Sequence, residues 1–142
     1  MLQKTIRDVK NGIEFDGNRY RIYVIGIDGI ILYVGKSSEV LSRMESHVGA
    51  GEWLGFFGST LDHLLIKTEA DNFVVEFYSE DDISQAITTN WNIDDKVSFL
   101  EEHLIYELSP VYNAKGKKKS RDNSIKWFSL NPEPVITSTR LT

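Results

Sequence analysis

The chain contains no cysteine and only three prolines in 142 residues. Without cysteine there is no disulfide, no zinc site built on thiolates and no cysteine nucleophile. No stretch approaches the run of about 18 apolar residues that suggests a membrane span. The opening residues Met-Leu-Gln-Lys also lack the apolar stretch of a secretory signal. We therefore expect a cytoplasmic protein that makes no contact with a membrane.

Positive charge is also scarce, because 16 lysines and arginines face 21 aspartates and glutamates, for a net charge of −5. Nucleic-acid binding needs a basic surface only locally, so the overall sign argues only mildly against such a partner. Most of the clustered positive charge lies late in the chain, at Lys115, Lys117, Lys118, Lys119 and Arg121. This basic run either contacts a DNA backbone or forms a solvated loop.

The strand pattern predicts a small sheet in a single domain over residues 1–142. Residues 19–35 indicate a hairpin, because two runs of β-branched and aromatic residues flank the turn pair Asp28-Gly29. Residues 73–78 have the same composition and predict a third strand. Residues 12–15 are the candidate for an extra N-terminal edge strand. We expect an α+β fold with a three-stranded, mainly antiparallel sheet, with or without that edge strand, flanked by helices.

Helices are predicted between and after these strands. Ser37 or Ser38 caps the first, which is expected to end where glycine recurs at residues 49–51. A second helix is predicted over residues 52–67, and a short one within residues 81–92. Each of the two longer segments repeats apolar residues at helical spacing, so each should bury one face against the sheet.

The last predicted helix carries an acid on its apolar stripe. Asp94 or Asp95 caps this helix, and it stops before Pro110. Its stripe, at spacings of three and four, consists of Val97, Leu100, Glu101, Leu104, Ile105 and Leu108. Glu102 falls off the stripe and should face solvent. A carboxylate on a core-facing stripe must be paired, protonated or metal-bound. Glu101 is therefore either part of a structural ion pair or a metal ligand.

Several polar side chains cluster around the predicted strand-to-helix turn. Arg43 and His47 are four residues apart and share one helix face, while Lys36 precedes that helix. Such donors suit a phosphate, although a solvated helix face is the commoner explanation of the pair. Tyr23 and Tyr33 are either part of this site or core residues whose hydroxyls reach solvent.

Taken together, these residues resemble the motifs of the GIY-YIG nuclease family, and the chain is similar to the nuclease domain of the nucleotide-excision-repair incision subunit. In that family an arginine follows the glycine of the second motif by eight residues, and a His or Tyr often follows the arginine by four. The catalytic glutamate lies in a Glu-x-x-Leu-Ile helix, and Pro and Asn come after that helix. The matching positions are residues 23–25 (Tyr-Val-Ile), residues 33–36 (Tyr-Val-Gly-Lys), Arg43, His47, residues 101–105 (Glu-Glu-His-Leu-Ile) and residues 110–113 (Pro-Val-Tyr-Asn).

The resemblance implies a metal-dependent endonuclease that hydrolyses DNA with one divalent ion, Mg²⁺ or Mn²⁺. Glu101 would hold the metal, and Arg43 would neutralise charge on the phosphate. Tyr23 would orient or deprotonate the attacking water, with His47 as the alternative base. The implied catalytic set is Tyr23, Tyr33, Lys36, Arg43, His47 and Glu101. The implied DNA contacts are Lys36, Arg43, Asn113, Lys115, Lys117, Lys118 and Lys119.

The chain departs from the family pattern in two places. Arg21 replaces the usual glycine of the first motif, and the stretch between His47 and Glu101 is longer than in the minimal domain. We assign the excess to residues 49–58 and 80–92. The motif-bearing core is then about residues 20–113, with residues 114–142 as a C-terminal extension.

Two other functions compete with the nuclease. The same fold can hold nucleic acid without cutting it, and net acidity favours an interaction or inhibitor protein. A nuclease with one site per chain needs either a homodimer or two successive events to cut both strands, so a homodimer is one expectation.

Overall fold

The computed structural model describes residues 1–13, 16–53 and 60–113. Its strands form one antiparallel sheet in the order β1-β4-β2-β3. The strands are β1 (Leu2–Thr5), β2 (Tyr20–Ile27), β3 (Ile30–Lys36) and β4 (Val74–Ser79). The helices are α1 (Ile6–Lys10), α2 (Val40–Trp53), α3 (Thr60–Leu65), α4 (Glu80–Ala86) and α5 (Ile93–Leu108), with a 3₁₀ turn at Thr68–Ala70. The α+β fold expected from the sequence is confirmed, and β1 supplies an N-terminal edge strand.

The β2–β3 hairpin is closed by the two-residue turn that the sequence predicts. Asp28 and Gly29 both have positive φ, 52° and 79°. This is the mirror-image turn whose twist matches that of paired strands. A bulge follows in β3, because Ile25 pairs with Tyr33 whereas the next residue of β2 pairs with Ile31. The bulge shifts the alternation of β3 and sets which face Tyr33 presents.

Helices cover both faces of the sheet and make two cores. On one face α1, α2 and α3 bury Ile6, Val9, Val40, Met44, Leu61 and Leu65 against Tyr23, Ile25, Val75 and Phe77. On the other face α4 and α5 bury Ile83, Val97, Leu100 and Leu104 against Ile22, Val24, Val34 and Val74. The two sets of β2 residues alternate along the strand, as a strand buried on both sides requires. Among the described residues no helix has the length and apolarity to cross a membrane.

The ends of α5 have recognisable signals, one of which differs from the prediction. Asn92, rather than Asp94 or Asp95, is the N-cap, and its side chain accepts a hydrogen bond from the Asp95 backbone N–H. The two aspartates lie in the first turn, where their charge favours the positive end of the helix dipole. At the other end Ser109 is left-handed with φ of 44°, and Pro110 follows, so the predicted stop is confirmed.

Two expectations about helix boundaries are wrong. α2 continues through the glycines at residues 49 and 51 to Trp53. A glycine inside a helix costs only about 1 kcal/mol, so it does not by itself end one. The next helix begins at Thr60 rather than at residue 52. Residues 54–59 lie outside the described part of the chain.

The N-terminal edge strand also lies elsewhere than expected. It is formed by Leu2–Thr5, which pairs with β4, while Gly12 belongs to a turn. Residues 14 and 15 of the predicted strand are outside the described residues. Thr5 then starts α1 through a capping box with Asp8, an arrangement that the sequence analysis missed.

The free edge of β3 is covered by the segment that follows α5. The Val111 backbone N–H donates to Ile31 and the Tyr112 N–H donates to Leu32, both at carbonyl oxygens, over 3.1 and 2.8 Å. Asn113 continues this pairing with its side chain. Its amide oxygen accepts from the Val34 N–H and its amide nitrogen donates to the Val34 carbonyl, each over 2.9 Å. One side chain thus replaces a strand partner for both backbone groups of a buried residue.

This arrangement predicts a stability cost for Asn113→Ala. The change leaves the Val34 N–H and C=O without their partner, and Val34 is fully buried. We expect the free energy of unfolding to fall by about 2–3 kcal/mol, measured by urea denaturation. Asn72→Ala, at an exposed asparagine, is the matched control and should change it by less than about 0.5 kcal/mol. Equal effects of the two substitutions would contradict the role of Asn113.

Candidate functional site

The predicted site residues come from both faces of the sheet and meet at the end of β3. Tyr23, Tyr33 and the α2 side chains belong to one layer, whereas Glu101 on α5 belongs to the other. β3 is the outermost strand, so no further strand separates the two layers there. α5 packs against β3, and this brings Glu101 close to Lys36, the last residue of that strand.

Three rings form the part of the site that faces α2. The Tyr23 hydroxyl lies 2.8 Å from His47 Nε2, and both residues are buried. Tyr33 packs beside them, with its ring centroid 6.0 Å from that of Tyr23 and 5.6 Å from that of His47. The tilted and edge-on ring arrangements are the ones that aromatic pairs prefer. The packing and the hydrogen bond hold the Tyr23 oxygen in one position.

Gly35 makes room for this arrangement. It is the cross-strand partner of Tyr23, and a Cβ built on it would overlap the Cζ and Oη atoms of the tyrosine. The glycine of the second sequence motif is thus explained by close approach of a side chain, since its φ lies outside the left-handed region.

Arg43 connects the rings to solvent. It is exposed, and its guanidinium forms side-chain hydrogen bonds with Tyr23 and with Tyr33. The bond with Tyr23 is the main cause that raises the pKa of Arg43, so this group stays cationic. The fork has five N–H donors, more than two hydroxyls can use, and can therefore meet an anion while it holds the tyrosines.

Tyr23 is held in its neutral form. Burial is the main cause that raises its pKa above the ordinary value of 10.0, and nearby Tyr33 and Glu101 raise it further. The hydrogen bond with Arg43 acts in the opposite direction without reversing the shift. A neutral Tyr23 hydroxyl donates to His47 or accepts from it according to the tautomer of the imidazole ring, and Tyr23 is a poor base by itself at neutral pH.

Glu101 is partly buried, and its environment opposes its charge. Burial is the main cause that raises its pKa, and Glu102 adds to this, whereas the charge and the backbone N–H of Lys36 lower it. Glu102 itself is exposed, as the helical stripe predicts. A desolvated carboxylate with a raised pKa gains from a nearby cation, so Glu101 suits a divalent ion.

The surroundings of Glu101 limit how such an ion is held. Among residues 1–13, 16–53 and 60–113 there is no group of three or more His, Asp or Glu side chains positioned to bind one metal. A protein cage is therefore absent from this part of the chain. A single carboxylate fits Mg²⁺, which keeps several of its own waters and takes substrate oxygens as ligands.

The side chain of Lys36 points away from the rings, toward α5. Its Nζ donates to Ser98 Oγ over 2.8 Å. Beside it lies a polar cavity of about 420 Å³, lined by Arg19, Arg21, Lys36, Ser37, Ser38, Asp94, Val97 and Ser98. Ser98 is three residues before Glu101 on the same helix, so the cavity adjoins the site.

Arg21, which replaces the usual motif glycine, forms part of the wall of this cavity. It is buried and donates to Glu80 over 2.9 Å, to Asp94 over 2.8 Å and to the Ser37 carbonyl over 3.2 Å. These partners belong to the starts of α4 and α5 and to the loop before α2. The departure from the motif thus has a structural role in joining three segments around the site.

The structure brings together six of the predicted site residues and gives Asn113 a different role. Tyr23, Tyr33, Arg43 and His47 make one group, and Lys36 with Glu101 makes the second. The side-chain amide of Asn113 instead pairs with the backbone of Val34 in β3, which fits a role in fixing the turn after α5. The predicted contacts Lys115, Lys117, Lys118 and Lys119 lie outside the described residues.

Sequence reasoning missed three polar residues in or near this region. Arg21 was noted as a departure, but its ion pairs were not foreseen, and Ser98 was not considered. Glu76, fully buried in β4, accepts a hydrogen bond from the Tyr78 hydroxyl over 2.7 Å. An acid inside the strand sequence Val-Val-Glu-Phe-Tyr was the available signal for Glu76.

The close approach at Gly35 generates a testable prediction. Gly35→Ala should lower the free energy of unfolding by about 1–3 kcal/mol, because the added methyl displaces the Tyr23 ring. The same alanine should cost much less in a Tyr23→Leu background, since leucine lacks the Cζ and Oη atoms. A double-mutant cycle by urea denaturation measures the coupling. If the alanine costs the same in both backgrounds, Tyr23 is not what requires the glycine.

Comparison of the chain with models of protein families, with curated proteins and with solved structures gives no match in any of the three. The features that bear on function are therefore the order and spacing of the motifs and two groups of side chains. Tyr23, His47 and Arg43 make contact in one layer, and Lys36 lies beside Glu101 in the other.

Proposed function

We propose that this chain is a metal-dependent endonuclease that hydrolyses phosphodiester bonds in DNA, in the manner that its resemblance to the GIY-YIG family implies. The observation that carries the proposal is the junction at the end of β3. There the carboxylate of Glu101, beside Lys36, lies near the linked group of Tyr23, His47 and Arg43. A cytoplasmic location, and a homodimer that cuts both strands, belong to the same proposal.

Glu101 is the residue proposed to hold the metal, Mg²⁺ or Mn²⁺. Such an ion supplies a Lewis acid that polarises the scissile phosphate and stabilises the leaving oxygen. Glu101 contributes a carboxylate whose position is set by the packing of α5 against the sheet. Its desolvation strengthens attraction to a cation because the local dielectric is lower than that of water.

Arg43 is the residue proposed to bind the scissile phosphate. Its planar fork matches two phosphoryl oxygens, and its exposed position allows a duplex to reach it. As charge grows on those oxygens in the transition state, a cation already in place stabilises it without reorganisation. Tyr33 assists by fixing the guanidinium through a hydrogen bond.

Tyr23 and His47 are proposed to act as one unit on the attacking water. Tyr23 is fully buried in the free protein, so its hydroxyl is not accessible to a water molecule there. A shift of the neighbouring side chains on DNA binding would have to uncover the hydroxyl, while Arg43 keeps its place on the phosphate. Tyr23 then orients the water and passes its own proton to His47 as it receives one from the water. The raised pKa of Tyr23, caused mainly by burial, makes this relay more favourable than free tyrosinate.

The first prediction of this proposal concerns Glu101. Glu101→Gln should abolish Mg²⁺-dependent nicking of supercoiled DNA, with a loss of at least about a hundredfold, because the amide is a far poorer ligand. Binding of DNA should persist. Glu102→Gln on the exposed face of α5 is the control and should retain activity. Loss of activity in Glu102→Gln but not in Glu101→Gln would mean that the wrong carboxylate has been chosen. If the natural chain binds DNA but does not nick it, a non-catalytic binding module is favoured.

The second prediction concerns stability and pH. Because burial raises the pKa of Glu101 above its ordinary 4.5, the folded state holds that proton more tightly than the unfolded state. The contribution of Glu101 to stability is therefore most favourable below pH 4.5 and declines as pH rises above it. Glu101→Gln should gain stability relative to Glu102→Gln at pH 7, and this gain should shrink at about pH 4. Urea denaturation without metal measures both, and a gain that is independent of pH would contradict the assignment.

The third prediction concerns the base. With the relay, single-turnover cleavage should rise through about pH 6–7 and then level off, because an imidazole titrates there. His47→Ala should remove that titration, and Tyr23→Phe should slow cleavage more than Tyr33→Phe does. A rate that keeps climbing into alkaline pH in both the natural chain and His47→Ala would assign the base to Tyr23 alone.

A further inference from the structure

The cavity beside Lys36 has the composition of an anion site. Three cations, Arg19, Arg21 and Lys36, line it. Two carboxylates, Glu80 and Asp94, pair with Arg21, and Glu80 also lies 3.6 Å from Arg19. The lining itself holds three cations and one carboxylate, Asp94, while Glu80 and Glu101 lie close by, in a chain whose net charge is −5. The residues that line the cavity therefore favour an anion although the protein as a whole is acidic.

The cations of this cavity differ in how many of their donor groups already have partners in the protein. Arg21 is buried and spends its N–H groups on Glu80, Asp94 and a backbone carbonyl. In contrast, Lys36 donates to the neutral hydroxyl of Ser98 and forms no ion pair within the described residues. Arg19 has 63% of its side chain exposed. Lys36 and Arg19 can therefore both reach an incoming anion, while Arg21 keeps the wall in place.

The position of the cavity ties it to the proposed reaction. Lys36 is shared, because its charge acts on Glu101 while its side chain lines the cavity and donates to Ser98. Ser98 precedes Glu101 by less than one helical turn, a rise of about 4.5 Å at 1.5 Å per residue. A phosphate bound in the cavity would therefore lie beside the residue that is proposed to hold the metal.

We propose that this cavity binds a second backbone phosphate of the DNA substrate, next to the scissile one, with Arg19, Lys36 and the hydroxyl of Ser98 as its ligands. The assignment rests on the proposed nuclease function and extends it to how the strand is positioned. Arg21 shapes the subsite without contacting the phosphate. The subsite recognises the charge and the tetrahedral oxygens of a phosphate. It therefore helps to place the DNA strand in the site and confers no sequence preference.

The experiment measures equilibrium binding of the full chain to a fluorescent duplex in metal-free buffer over a series of salt concentrations. Arg19→Gln should reduce the slope of log K against log salt by about 0.9, the value of one lost phosphate contact. Ser98→Ala should weaken binding about five- to tenfold with the slope unchanged, because its hydroxyl carries no charge. Arg7→Gln, an equal charge change at an exposed arginine of α1, is the control and should leave both quantities as they are.

A second arm locates the phosphate. Duplexes with one neutral methylphosphonate at successive positions around the cleavage site should reveal one position whose neutralisation weakens binding of the natural chain but not of Arg19→Gln. Equal slopes for Arg19→Gln and Arg7→Gln, or no such position, would overturn the subsite. If the coupling is found but the chain fails to nick DNA with Mg²⁺, the subsite stands and the nuclease proposal falls. Absence of DNA binding at low salt would overturn both.

Discussion

The packing of α5 against β3 is the contact on which the arrangement of the site depends. It brings Glu101 close enough to Lys36 for the charge of Lys36 to lower the pKa of the carboxyl group. On the same strand the Asn113 side chain accepts from the Val34 N–H and donates to the Val34 carbonyl, so it supplies partners that the outer edge of β3 needs. Asn113 follows α5 closely in the chain, and this pairing therefore also fixes the end of α5 relative to β3.

Charge and burial compete throughout the same region. Glu101 and Tyr23 each have a pKa raised mainly by burial, so each is harder to ionise than it would be in water. Arg43 and Lys36 are the exposed cations beside them. The proposed function would use these charges to bind a phosphate and a divalent ion.

Much of the fold was predictable from the sequence because its strongest signals are local. The pair Asp28-Gly29 demanded positive φ, and the stripe on α5 singled out Glu101 and left Glu102 outside. The failures have a common physical cause, which is that the deciding partner is distant in sequence. β1 is only four residues long and is stabilised by β4, while the ion pairs of Arg21 are with Glu80 and Asp94, at least 59 residues away. The sequence alone also gave no reason why Tyr23 is buried over Gly35, because that contact depends on the register of β2 and β3.

The strand order has a consequence for how the chain is made. The β2–β3 hairpin pairs neighbours and can form as soon as it leaves the ribosome, because its loop has only two residues. β1 must wait for β4, since Leu2 pairs with Phe77. At about 5–20 residues per second the first strand is synthesised several seconds before its partner. Residues 2–5 therefore remain without their strand partner during that interval, and completion of this sheet edge is a late event in biosynthesis.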